Sequence, residues 1–351
     1  MTTRTSNGAP AAVGSTAGTF VVGPLETDAG ERVDGLRVHY RVYGDPAAAR
    51  EPGWVLVFHA LTGSAEIETW WAGLLGPGRP LDPARRPIVA ANLPGSCYGS
   101  TGPRQWLEAG RGAFPSLTTR DLAVVNDRLL THLGVDRVAL ATGGSLGGMV
   151  ALQWGLVTAR PVDRLVVLAA PAAASAQAVA WNAAQRMAIE ADPRWRGGAY
   201  AADDTPDAGL AAARAIAMIT YRSPSEFAAR FGRTLNAGGR EFAVEGYLRR
   251  HGEKLVARFD AASYHCLTGI MDRHDVGPIP QAAAAVAGRV GCLVGVGIDT
   301  DILYPAAEVR GWVDQFRAHG ANAQYREITS VCGHDAFLIE LDQVAEILES
   351  P

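Results

Sequence analysis

Residues Gly143-Gly144-Ser145-Leu146-Gly147 constrain this chain more than any other segment. The run before them, residues 137–142, is short and apolar like a buried strand, and Met149 to Trp154 behind them reads as a helix. A Gly-x-Ser-x-Gly between strand and helix forms a sharp turn that lifts the serine clear of the sheet. Ser145 Oγ is then presented as a nucleophile. The Leu146 N–H, at the start of the helix, is aimed at the same place and can hold an oxyanion. A Gly-rich turn can also cradle phosphate, but no Lys-Ser/Thr follows, which excludes a P-loop, and no Gly-x-Gly-x-x-Gly is present there. The competing reading is a tight packing turn with an incidental serine, so the motif needs partners.

Short apolar runs bounded by turn residues recur at 54–58, 87–93, 165–169 and 292–298, as expected of strands buried on both faces of a parallel sheet. Helical stretches at 117–133 and 146–158 separate several of them, which implies βαβ units; 307–319 and 344–348 read as two further helices. Residues 36–43 alternate apolar and polar, which predicts an exposed antiparallel strand. Between about 171 and 280 the pattern becomes helical and Ala-rich, as in 178–191 and 209–221, with no convincing strand. The expected organisation is a flexible tail at 1–18 and an α/β core at 19–172. A helical lid follows at 173–284, and the core resumes at 285–351, with Ala282 to Ala285 as one helical turn at the return.

Composition narrows the class. Hydrophobic residues at 48% and charged residues at 19% fit a globular enzyme, and a net charge of −4 leaves no basic footprint for nucleic acid. Cys97, Cys266, Cys292 and Cys332 form no Cys-x-x-Cys pair, and no histidines stand in His-x-His or His-Glu-x-x-His spacing. Neither a metal site nor a disulfide framework is therefore expected, and a reducing cytoplasm fits. The first eighteen residues are rich in Ser, Thr, Ala and Gly and read as a tail rather than a signal peptide; no membrane span is expected.

A serine hydroxyl attacks only if a neutral imidazole takes its proton, and the imidazole needs a carboxylate to fix its tautomer. When the serine follows a mid-chain strand, the acid is expected after a later strand and the histidine near the end. The run ending at Ile298 leads into Asp299-Thr300-Asp301, and His334 stands in a Gly-flanked loop after the strand-like Tyr325 to Ile328. Between the two acids, loop position does not decide. A second oxyanion donor is expected from the loop after the early strand, His59-Ala60-Leu61-Thr62-Gly63, with Leu61 N–H as the candidate. Arg214 interrupts an apolar helical run, and Tyr221 lies two turns further along the same face. A guanidinium there calls for an anion, either a substrate carboxylate or an internal acid. These features together describe an α/β-hydrolase fold, a mostly parallel sheet flanked by helices with a helical lid insertion.

Read as a set, the residues resemble the homoserine O-acetyltransferase family of acyltransferases with this fold. The matching blocks are His59 to Gly63, Gly76 to Asp82, Asn92 to Pro103, the serine turn, Ile219 to Ser223, Arg230 to Arg233, Thr300 to Pro305 and Gly333 to Phe337. The resemblance implies Ser145, Asp301 and His334 as the catalytic triad, which selects Asp301 over Asp299. It further implies Arg214, with Tyr221 beside it, for the acceptor's carboxylate, and Asp335 for its amino group. No bound cofactor is implied; acetyl-CoA or succinyl-CoA would be the acyl-donor substrate, a hydroxy amino acid the acceptor, and a homodimer the working form, in a step toward methionine. The chain departs from the family pattern at Ala262, His265 and Cys266, and its Gly95-Ser96-Cys97 turn also resembles relatives that acylate serine. L-Homoserine and L-serine thus both stand as acceptors, with a plain esterase or thioesterase as a further alternative.

Overall fold

The computed structural model describes residues 14–350. The chain builds β1 (Ser15–Val21), a small hairpin of β2 (Leu25–Glu26) and β3 (Arg32–Val33), then β4 (Arg37–Tyr43), β5 (Trp54–Phe58) and β6 (Ile88–Ala91). Helices α1 (Pro103–Glu108) and α2 (Thr119–His132) precede β7 (Val138–Gly144), α3 (Leu146–Val157) and β8 (Val162–Leu168). Five helices follow without a strand: α4 (Ala176–Glu190), α5 (Asp207–Tyr221), α6 (Pro224–Arg230), α7 (Ala243–Val256) and α8 (Ala261–Asp272). The chain ends with α9 (Ile279–Ala287), β9 (Val290–Ile298), α10 (Ala306–Ala318), β10 (Ala323–Ile328), the single turn α11 (Ala336–Ile339) and α12 (Leu341–Glu349).

Eight strands form one sheet in the order β1-β4-β6-β5-β7-β8-β9-β10. β5 to β10 run parallel; β4 is antiparallel to both β1 and β6. Helices cover both faces, so side chains of one strand alternate between two cores. Leu56 and Phe58 enter one core and Val55 and Val57 the other, and Leu165 and Val167 likewise oppose Val166 and Leu168. That is why the parallel strands read as uninterrupted apolar runs. From β5 the chain moves one way to β6 and later returns to the other side for β7. The segments leaving β5 and β7 therefore diverge from adjacent strand ends, with Phe58 paired to Gly143. A crevice at such a reversal is where parallel sheets place their ligands.

Three expectations need correction. The segment 36–43 is not exposed, because β1 pairs with β4 along its whole length, from Ser15–Tyr43 to Val21–Arg37. β1 starts inside the stretch expected to be tail; residues 1–13 of that stretch lie outside the described residues. Its Ser-Thr-Ala-Gly-Thr composition hides a strand held by ladder hydrogen bonds rather than by an apolar face. The helical insertion also closes earlier than 284. Ala174 N–H donates to His274 O (2.8 Å) and Val276 N–H to Ala172 O (3.0 Å), forming a neck of two paired segments. Beyond it α9 packs on α3 and α10 as part of the core. His274 pins the neck, its ring bonded to Thr119 Oγ1 (2.8 Å) and Pro171 O (3.0 Å). Burial holds its pKa down at about 4, so this histidine is a neutral brace. No helix among the described residues is long and apolar enough to cross a membrane.

Candidate active site

Ser145 sits between β7 and α3 at φ 57° and ψ −125°, a conformation that costs a non-glycine residue about 1–3 kcal/mol. The surroundings enforce it. Ser145 N–H donates to Leu168 O at 2.9 Å, and the carbonyl accepts from Met149 N–H at 3.0 Å as α3 begins. A Cβ on Gly147 would lie 2.3 Å from Phe58 O, and one on Gly143 only 2.5 Å from Gly147 O. The glycines are thus required by close backbone approach between the β5 and β7 ends. Ser145 is not open to solvent, being 6% exposed. Among the described residues, neither the Leu146 N–H nor the Leu61 N–H enters any protein hydrogen bond.

The loop carrying Leu61 is tightly specified. Ala60 O accepts from Gly63 N–H (2.9 Å) and bonds His59 Nδ1 (2.8 Å), while His59 Nε2 accepts from Leu93 N–H (3.1 Å). This pattern needs the neutral Nδ1–H tautomer, and burial pushes the His59 pKa down to about 4. Because a trans peptide directs its N–H opposite to its C=O, fixing the Ala60 carbonyl also fixes the direction of the Leu61 N–H.

The two acids left open by loop position do different jobs. Asp299 Oδ1 accepts from Ser330 N–H (3.0 Å) and, with Thr300 Oγ1, which accepts from Gly333 N–H (3.1 Å), ties the histidine loop to the end of β9. Asp301 Oδ2 reaches His334 Nδ1 at 2.6 Å, both side chains being almost wholly buried. Its Oδ1 accepts from Leu303 N–H (2.8 Å) and Tyr304 N–H (3.0 Å), which leaves the carboxylate one orientation. His334 Nε2 is buried and has no hydrogen-bond partner among the described residues. No hydrogen bond joins it to Ser145 Oγ. Phe337 connects the two regions: its ring packs 5.7 Å from the imidazole centroid and fills the space where a Cβ on Gly144 would stand.

Burial pushes the His334 imidazole toward the neutral form, but the charge and hydrogen bond of Asp301, with Asp335 nearby, outweigh it and raise the pKa above the ordinary histidine value. A base must be unprotonated to act. The rate of Ser145 acylation is therefore expected to rise with pH through an inflection above the ordinary imidazole value. Removing the Asp301 charge leaves burial to dominate and should move that inflection downward. Single-turnover acylation followed across pH checks both; an inflection that ignores Asp301 would detach it from the base.

Helix α5 supplies the rest. Tyr221 packs 5.7 Å from the His334 ring, and the Arg214 guanidinium lies 5.3 Å from the Tyr221 ring centroid, so the two share one face as their spacing predicts. Among the described residues Arg214 has no carboxylate within salt-bridge distance, which removes an internal acid as its partner. Asp335 does have one: Arg222 Nη2 lies 3.1 Å from Asp335 Oδ2, and Arg222 also pairs with Glu226 at 3.2 Å. Sequence reasoning did not single out Arg222, whose role depends on two segments over a hundred residues apart. Gly333, at φ 68°, permits this docking, since a Cβ there would stand 2.6 Å from Ser223 N.

A sequence profile described as alpha/beta hydrolase fold matches residues 53–268. Homoserine O-acetyltransferase of Thermus thermophilus is 45% identical, over 92% of this chain and 88% of its own length. The Salinibacter ruber enzyme of that name is 43% identical over 95% and 96%, and that of Trichormus variabilis 41% over 93% and 90%. Among solved structures, homoserine O-acetyltransferase from Bacillus anthracis superposes with a TM-score of 0.83 at 21% identity, covering 95% of this chain and 98% of its own. Esterase E22 superposes at 0.81 with 20% identity over 95% and 98%, a likeness of fold alone. An elbow serine, a buried carboxylate–imidazole pair and near-full-length identity above 40% converge: the chain is an enzyme belonging to the homoserine O-acetyltransferase family, with the α/β-hydrolase fold.

Proposed function

We propose that this protein transfers an acetyl group from acetyl-CoA to the hydroxyl of L-homoserine through an acyl ester on Ser145. His334 Nε2 takes the Ser145 proton as Oγ attacks the thioester carbonyl. The oxyanion accepts from Leu61 and Leu146 N–H groups, and collapse expels the coenzyme thiolate, which His334 protonates. His334 then deprotonates the acceptor hydroxyl as it attacks the acyl-serine; collapse breaks the Ser145 Oγ–acyl bond, the imidazolium returns the proton to Oγ, and the product ester leaves. Asp301 holds the imidazole's tautomer and stabilises the imidazolium formed at each step.

Transfer rather than hydrolysis requires the acceptor to outcompete water, and positioning can contribute thousands-fold or more in effective concentration. The observation that carries this reading is Arg214, a half-buried cation beside the Tyr221 ring, which in turn packs on His334, and it pairs with no carboxylate among the described residues. It is suited to the acceptor's carboxylate, with Asp335 toward the ammonium. The Arg222 contact occupies Asp335 Oδ2, so an ammonium would use the other oxygen. The helical insertion acts in this reading as a lid that excludes water, and the protein works as a cytoplasmic homodimer.

The test is coenzyme A release from acetyl- and succinyl-CoA against L-homoserine, L-serine and water, with the O-acyl product quantified. The expected result is stoichiometric O-acetyl-L-homoserine, with kcat/KM for homoserine at least tenfold above that for serine, the discrimination about 1.4 kcal/mol provides. A higher value for serine would transfer the same machinery to that acceptor. Thiol release without an O-acyl amino acid would make the enzyme a thioesterase.

A further inference from the structure

The link between α7 and α8 carries an arginine that the chemistry above does not use. Arg258 Nη1 donates to Thr62 O (2.7 Å) and to Tyr98 Oη (2.7 Å), and Nη2 donates to Thr62 Oγ1 (3.2 Å). Among the described residues it forms no ion pair with any carboxylate, so its charge is spent on neutral acceptors of the core. Its neighbours strengthen the attachment. Phe259, 6% exposed, packs edge-on against Tyr98 at 5.6 Å. Asp260 caps α8 through Ser263 N–H (2.9 Å) and accepts from Tyr200 Oη (2.7 Å). Its other contact is with Arg104 Nη1, at 3.6 Å. Three consecutive residues of the insertion thus grip the core segments 59–63 and 95–104.

Thr62 follows Leu61 in the turn closed by the bond from Gly63 N–H to Ala60 O. One flank of that turn is held by His59 from inside the core; the carbonyl of the other flank, Thr62, is held by Arg258 from the insertion. We propose that Arg258 is a positioning residue for the oxyanion site: it couples seating of the helical insertion to the direction of the Leu61 N–H. The inference rests on the reading of Leu61 as an oxyanion donor. With the insertion seated, the donor is preorganised; with Arg258 withdrawn, the turn keeps only its His59 flank.

The test uses the full chain and p-nitrophenyl acetate, which acylates the serine without needing the natural donor or acceptor. Arg258→Ala is expected to slow the acylation burst about 10- to 100-fold, a fraction of the loss seen when an oxyanion donor is removed outright. The ester concentration giving half-maximal burst rate, which reports binding before acylation, should stay within about twofold, since only transition-state binding is touched. Affinity for a trifluoromethyl ketone, whose tetrahedral adduct carries the oxyanion, should fall in parallel. Millimolar guanidinium should restore part of the burst in Arg258→Ala, and Arg258→Lys, which keeps charge but cannot reach all three acceptors, should fall between. A burst rate in Arg258→Ala within twofold of wild type, or a loss that guanidinium leaves unchanged and that comes instead from weaker ester binding before acylation, would overturn the coupling. A Ser145→Ala protein that releases p-nitrophenol at the wild-type rate would instead overturn the acyl-Ser145 reading beneath it.

Discussion

Asp301→Asn is expected to lower the rate of Ser145 acylation about 10⁴-fold, whereas Asp299→Asn, a change on an exposed loop, should leave it within about twofold. The argument is one of forced orientation. Asp301 Oδ1 accepts from two backbone N–H groups, of Leu303 and Tyr304, so an asparagine must keep its oxygen there. Its amide nitrogen then faces His334 Nδ1, the position now occupied by the carboxylate oxygen at 2.6 Å. Two N–H groups cannot point at each other in a buried site. The imidazole moves its proton to Nε2, and the atom meant to receive the serine proton becomes a donor. The imidazolium formed during attack also loses its buried counter-charge. Stopped-flow acylation with an activated ester, alongside Tm to confirm folding, measures this. An Asp301→Asn enzyme retaining a tenth of the wild-type rate would remove Asp301 from the mechanism.

The second large effect is confined to one half-reaction. Arg214→Met keeps the aliphatic stem and removes the charge. KM for the acceptor should rise roughly 30- to 5,000-fold, the range for losing one partner of a desolvated charge pair (about 2–5 kcal/mol). Acyl-serine formation should stay within about threefold, because the group acts on an acceptor not yet bound. Arg214→Lys should recover only part, since an ammonium cannot match a carboxylate with the bidentate fork of a guanidinium. The contact between Arg214 and Tyr221, and between Tyr221 and His334, offers the competing explanation that Arg214 merely props the base. In that case acylation and transfer would fall together, and the substrate-carboxylate role would be lost.

Much of the core was legible because its signals are local. Strands buried on both faces must be apolar throughout, and β5 (Trp54–Phe58) matches its sequence run at both ends. The serine turn was legible because a backbone forced to φ 57° beside Phe58 O tolerates only glycine at its crowded positions. β1 and the exact neck of the insertion were not, because each depends on main-chain hydrogen bonds to distant segments, which leave no mark on side-chain pattern.

From residues alone came the nucleophile turn, the histidine loop, the pair of acids and the Arg214–Tyr221 face, since each is set by short-range spacing or by a residue type that chemistry demands. Tertiary structure decided what depends on direction across space. It placed Asp301, which the family resemblance had already selected, on the imidazole and Asp299 on the histidine loop as a brace, left Arg214 unpaired with any carboxylate among the described residues, gave Asp335 a partner in Arg222, and set Arg258 on the turn that carries Leu61. A carboxylate two residues from another has the same composition and nearly the same address; only the packing around it determines which proton it can reach.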